Sequence, residues 1–464
     1  CPLLELAGRV CAQPGGFWLD SALPHPRYGC YSFLGWDPFL VLESKNGRLR
    51  LTGPQGTREF SGNPFAVLRD LLERYRLPHE ESLPPLAGGV VGYFGYDLCH
   101  HLERLPRTSK DDLGRPDCWL GFYDRVLAYD HRHGILLALS SGLPAATANS
   151  RRKRAEARLK EARALLDGPG VQPEEAALAT SPPLLTSDFT REAYLKAVRR
   201  ARDYIFAGDI FQVNLSQRFS APLPLAPFAL YRRLRQINPA PFAAYLHLPG
   251  LIVASSSPER FLALRGRQVQ TRPIKGTRPR GTDPMADQRN KRELWTSAKD
   301  RAELAMIVDL ERNDLGQVCQ IGSVKVHRLY CLEKYATVFH LVATVVGTLA
   351  PGRDFVDCLT AAFPGGSITG APKIRAMEII DELEPVQRGV YTGSIGYISF
   401  SGQAADLNIA IRTMVIADNT VYFHAGGGIV ADSVPELEYE ETLAKAKALM
   451  EAVGVANPPG RALR

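Results

Sequence analysis

Residues 188–209 read DFTREAYLKAVRRARDYIFAGD, with a helix-starting Asp188 or Thr190, apolar residues at helical spacing and a terminating Gly208. Residues 421–430, VYFHAGGGIV, read instead as a strand running into a glycine loop. Between these two stretches, helical and hairpin signals mix without a regular βαβ alternation. That mixture predicts the α+β class. No short-period repeat of the solenoid kind is present.

Working outward, the 187–455 region is preceded by a change of composition. Residues 144–186 are rich in Ala, Arg, Glu and Pro, and read as a charged helix (RRKRAEARLK) followed by a Pro-bearing loop, a linker between regions. Residues 1–143 carry short apolar runs, FLVLES and GVVGYFGYD among them, and are expected to be mostly strands with a helix near NPFAVLRDLLERYR. Three regions follow: 1–143, the 144–186 linker, and 187–455.

A chain of 464 residues buries a large core, and 45% hydrophobic with 23% charged residues is ordinary for a globular protein. No apolar run reaches the roughly 18 residues of a membrane span, and the first residues lack the basic start of a secretory signal. The eight cysteines form no Cys-x-x-Cys pair, which argues against zinc and fits reduced thiols in a cytoplasmic protein. A net charge of +7 without an aromatic-basic platform argues against nucleic-acid binding and suits a small anionic substrate.

Several stretches hold chemistry-bearing residues. TRPIKGTRPRGTD, residues 271–283, reads as a loop with Lys275 beside Arg272, Arg278 and Arg280. It is either a solvated basic turn or a lysine nucleophile whose amine the neighbouring cations keep partly neutral. DRAEL spaces Asp300 and Glu303 at i, i+3, and ELEYEETLAKAKALM spaces Glu438 and Glu441 in the same way. On helices each pair shares a face, and two such faces meeting make an oxygen-only site suited to Mg²⁺; apart, they are solvated surface.

In HAGGGIV, Gly426, Gly427 and Gly428 let backbone N–H groups approach an anion, or only make a turn. NIAIRTM puts Arg412 in an apolar strand, where it needs a structural carboxylate or an anionic ligand. PGGSITGAPKIRAMEII brings Thr369 and Lys373 to an apparent helix start, a favourable place for anions. His340 in VFHLVATVVG is a core histidine or a site residue, and Glu259 in ASSSPERFL is an acid–base group or an ion-pair partner.

The ordered set SPERFL, PIKGTRPRG, AELAMIVDLERNDLG, GSITGAPK, YTGSIGY, AIRTM and AGGGIV…SVPELEYEET resembles the chorismate-utilising enzymes over nearly the whole chain. The resemblance implies an α+β body of two packed β-sheets surrounded by helices, with the site in a deep cleft. It implies Mg²⁺ on Glu303, Glu438 and Glu441, supported by Asp300. Arg412, Tyr391 and the three glycines would hold the enolpyruvyl carboxylate, with Thr369 beside the ring, Lys373 adding charge and His340 in the site. PIKGT resembles the aminodeoxychorismate-forming branch, whereas anthranilate-forming relatives usually have alanine at the position of Lys275.

In that branch Lys275 attacks C2 while Glu259 protonates the departing C4 hydroxyl, and ammonia then displaces the lysine. No glutaminase-like segment and no pyridoxal-dependent lyase segment is recognisable, so ammonia is expected from a separate glutamine amidotransferase subunit. The product would be aminodeoxychorismate for 4-aminobenzoate and folate synthesis. The alternatives are an anthranilate or isochorismate synthase and, outside enzymes, a regulatory amidotransferase-binding protein. LVLESKNG and NPAPFAAY resemble segments of a tryptophan pocket, which would place Ser44, Pro239 and Pro241 there, although Phe242 stands where relatives often have tyrosine.

Overall fold

The computed structural model describes residues 3–23, 25, 28–168, 183–335 and 338–455. Two large antiparallel sheets, of 11 and 12 strands, stack face to face with helices on their outer faces. The class is α+β, as the mixture of signals predicts.

The 188–209 stretch forms the helix Arg191–Phe206. Of the two candidate caps Thr190 is the one used: its side chain accepts from the Ala193 N–H at 3.2 Å. Asp188 instead accepts from the Arg218 N–H at 2.7 Å. Gly208 follows with φ +83°, a left-handed value that glycine tolerates, and turns the chain into the strand Gln212–Pro222. That strand pairs along its length with Thr420–Ile429.

Strands from both sides of residues 144–186 share both sheets. Phe17–Asp20 pairs with Phe242–Leu248 in one, and Gly89–Phe94 pairs with Ser394–Ser399 in the other. Period-two alternation explains the layers. Phe17, Phe33, Leu246 and Val253 of the first sheet pack against Val91, Tyr93, Trp119 and Ile395 of the second, while Trp18 points outward to Tyr231.

The charged segment forms the helix Ala148–Asp167, capped by Thr147 and Ser150. It is docked by ion pairs: Arg158 reaches Asp37 at 2.7 Å and Arg154 reaches Asp124 at 3.0 Å. The Pro-bearing loop expected after it falls mostly on residues 169–182, outside the described residues. Among the described residues no helix is long and apolar enough to cross a membrane.

Candidate active site

Lys275 lies on a strand, not in the expected loop. Ile274–Pro279 pairs with Val338–Thr348, setting Lys275 opposite Leu341 and Thr277 opposite His340, with a bulge between. Gly276 makes the bulge at φ +76°, and a Cβ there would stand 2.9 Å from Asp300, so glycine lets the helix Ala298–Gly316 approach. Glu259 is buried just before the strand Arg260–Arg265, and its Oε1 accepts from the Ile274 N–H at 3.4 Å. The acid and the amine are thus held on adjoining segments.

The three arginines do not act as expected. Arg272 pairs with Glu333, Arg278 with Glu293 and Asp300, and Arg280 with Asp287. Each is neutralised by an acid from another part of the chain. Lys275 is nevertheless held below the ordinary lysine range, chiefly by burial. Lys445 pushes the same way, against Glu303, Glu259 and Glu441. Burial raises Glu259 above the ordinary carboxylate range, with the Lys275 charge opposing.

The two acid pairs do fall on helices, Ala298–Gly316 and Pro435–Ala452, and the charges of Glu303 and Glu441 both act on Lys275 and on each other. Glu441 Oε1 and Glu438 Oε2 stand 3.2 and 3.3 Å from the point a Cβ on Gly427 would occupy. Glu438 is buried, and its Oε2 has no hydrogen-bond partner. Burial raises Glu303 and Glu438, while Lys445 holds Glu441 below its ordinary value. An orphaned carboxylate oxygen beside a second carboxylate fits a hard cation such as Mg²⁺. Among the described residues no three His, Cys, Asp or Glu side chains already close around one point. A metal would therefore complete its shell with water or ligand oxygens.

Lys445 was not singled out from the sequence. Its Nζ lies 2.7 Å from Glu441 Oε1 and 2.9 Å from the Gly426 carbonyl. The i, i+4 spacing from Glu441 was the available signal.

The glycine run is not a loop: Gly426, Gly427 and Gly428 lie within Thr420–Ile429. Arg412, conversely, is not in a strand. It occupies the turn before Thr413–Ala417 at φ +49°, a strained value for a non-glycine residue. Its Nη1 donates to Asn238 Oδ1 at 3.1 Å, and among the described residues no carboxylate pairs with it. The anionic-ligand alternative suits that geometry.

His340 is buried and pushed down to about 3, by burial first and then by Arg412, so its ring is neutral. Nδ1 meets the Thr277 hydroxyl at 2.9 Å and Nε2 has no partner. Tyr391 stacks on His424 at 4.8 Å. Thr369 is fully buried, donating to the Gly365 carbonyl at 3.0 Å. Lys373 is tied to Asp314 at 2.7 Å, so its charge is already balanced.

A separate cleft between the sheets is lined by Asp20, Ser21, Pro241, Phe242, Tyr397 and Asn408. Ser44 does not line it: that residue is buried on Leu40–Lys45, and its hydroxyl has no partner. The serine beside Pro241 is Ser21, and Pro239 is not among the lining residues. FWLDS, residues 17–21, has the same apolar-run, acid, serine pattern as LVLES.

Residues 18–451 match the family model described as chorismate binding enzyme. The chain is 49% identical over 456 residues to anthranilate synthase component 1 of Thermus thermophilus, covering 98% of this chain and 94% of that protein. It is 40% identical to aminodeoxychorismate synthase component 1 of Escherichia coli, covering 96% and 94%. The solved anthranilate synthase component I of Streptococcus pneumoniae TIGR4 superposes with a TM-score of 0.80 at 33% identity, covering 92% and 93%. This chain belongs to the chorismate-binding enzyme family, and is a chorismate-utilising enzyme built on the two-sheet α+β fold.

Proposed function

We propose that the chain is an aminodeoxychorismate synthase component I, converting chorismate and ammonia to 4-amino-4-deoxychorismate for the 4-aminobenzoate branch of folate synthesis. The observation that carries this reading is the placement of Lys275 beside Glu259, an amine shifted down and an acid shifted up in one buried site. Free amine and protonated carboxyl are the forms the displacement needs.

Lys275 Nζ bonds to C2, both conjugated ring double bonds shift by one position, and the C4–O bond breaks as Glu259 gives its proton to the oxygen leaving as water. Ammonia then bonds to C4, both double bonds return, and the C2–N bond breaks to restore the lysine as a free amine. Arg412 and the backbone at Gly426, Gly427 and Gly428 orient the substrate's carboxylate. Mg²⁺, held by Glu303, Glu438 and Glu441, would supply a positive charge for the ring carboxylate.

The described cysteines offer little for glutamine cleavage. All but Cys331 are buried, consistent with ammonia arriving from a separate glutamine amidotransferase subunit.

A second reading, anthranilate synthase component I, is favoured by the 49% identity to the Thermus enzyme. Product analysis with chorismate, Mg²⁺ and ammonium separates the two. Without ammonia, chorismate is expected to form a dehydrated adduct on Lys275, mapped by intact mass and peptide analysis. Lys275→Ala should lose both adduct and amination. Wild-type rates of aminodeoxychorismate formation by that variant would overturn the covalent mechanism, and anthranilate as the product would establish the second reading.

A further inference from the structure

Gln212 opens the strand Gln212–Pro222 and is 0% exposed, yet neither Nε2 nor Oε1 of its amide has a hydrogen-bond partner. Buried polar groups are nearly always paired, and one left without a partner in a fold calls for something the chain does not itself supply. The amide lies directly over the glycine strand. Its Nε2 is 2.5 Å from where a Cβ on Gly428 would stand, and Asn214 Oδ1 is 3.3 Å from the same point. Any side chain at position 428 would collide with the amide, so glycine there keeps the two in contact.

On its other side Gln212 pairs with Ala371, next to Gly370 and Thr369, and the Thr369 carbonyl accepts from the Asn214 N–H at 2.7 Å. Gln212 therefore lies between the glycine strand assigned to the substrate's carboxylate and the segment of Thr369, which the family resemblance sets beside the ring. Val213 and Leu215, which alternate with these polar residues, belong to the hydrophobic core, so the alternation of the strand turns Gln212 and Asn214 to the opposite face.

We propose that Gln212 is a substrate-positioning residue whose side-chain amide donates to an oxygen of the bound cyclic dicarboxylate beside Gly428. It rests on the chorismate reading and adds a residue to it. A neutral donor suits this place: it aligns a carboxylate without bringing a further charge into a buried site.

The test is Gln212→Leu, similar in volume but without the amide. Chorismate consumption is expected to show KM raised about tenfold with kcat within about threefold, the signature of lost ground-state binding. The melting midpoint of the ligand-free variant should be equal to or above wild type, because an unpaired buried polar group has been removed. Unchanged KM, with or without a lower midpoint, would overturn the proposal and assign the amide to a buried water or to packing; a loss confined to kcat would overturn it as well. Gln212→Met gives the same readout should the leucine variant fail to accumulate. Wild-type protein inert toward chorismate overturns the functional reading itself. A wild type that consumes chorismate, alongside an unaffected Gln212→Leu, overturns this inference alone.

Discussion

Lys275 and Glu259 are shifted toward one another by a single cause, removal from water, and the direction of each shift sets a pH dependence. The free-amine fraction of Lys275 grows as pH rises through its lowered value. The protonated fraction of Glu259 falls as pH rises through its raised value. Because the rate needs both forms, kcat/KM should be bell-shaped, with limbs that belong to the coupled pair. Glu259→Gln keeps the shape but cannot release a proton, so kcat should fall by roughly 10²–10⁴-fold, measured by chorismate consumption across pH. A flat profile in the wild type would remove the acid–base assignment. At this scale the sequence was legible where a residue type announces itself, as a lone lysine among arginines and prolines does. The charges around it were not legible: Arg272, Arg278 and Arg280 find acids on other segments, and Glu333 or Asp287 cannot be assigned as partners before the fold is known. Ser44 is buried on its strand while Ser21 lines a cleft beside Pro241, a difference that their nearly identical local patterns do not announce.

Two helices and one strand bring the acidic side chains together. The i, i+3 spacing in Ala298–Gly316 and Pro435–Ala452 was readable because a helix imposes it, but that both helices bring an acid within reach of Lys275 is a tertiary fact. Glu303→Gln and Glu441→Gln remove charge with little change of shape. Each should raise the Mg²⁺ concentration for half-maximal activity by about 10–100-fold or more, measured by titrating metal back into chelator-treated protein. Full activity of both variants in chelator would remove the metal assignment. Strands were harder to delimit than helices. TRPIKGTRPRG carries turn residues at both ends yet pairs as an edge strand through a bulge, and AGGGI is a strand despite three glycines because it pairs with Gln212–Pro222, while two carboxylates at Gly427 and an amide at Gly428 stand where side chains would go. In each case packing overrides local propensity.

The molecule as a whole is an interleaving of its two ends. The α+β class was visible in the mixture of periodicities. Which strands are neighbours was not, because pairing partners carry no local mark of one another. The region 187–455, expressed alone, should fail to give a cooperative thermal melt, since Phe242–Leu248 would lose Phe17–Asp20 and Ser394–Ser399 would lose Gly89–Phe94. Circular dichroism on the fragment checks this, and a sharp native-like transition would show that the region folds by itself. The same interleaving governs the birth of the protein. The Cys11 carbonyl and the His247 ring are hydrogen-bonded across 236 positions of chain. At about 5–20 residues per second a ribosome needs roughly 10–50 s to supply that partner, while unpaired sheet edges wait in the open. Growth temperature, translation speed and chaperone supply should therefore decide how much of this enzyme reaches its native form.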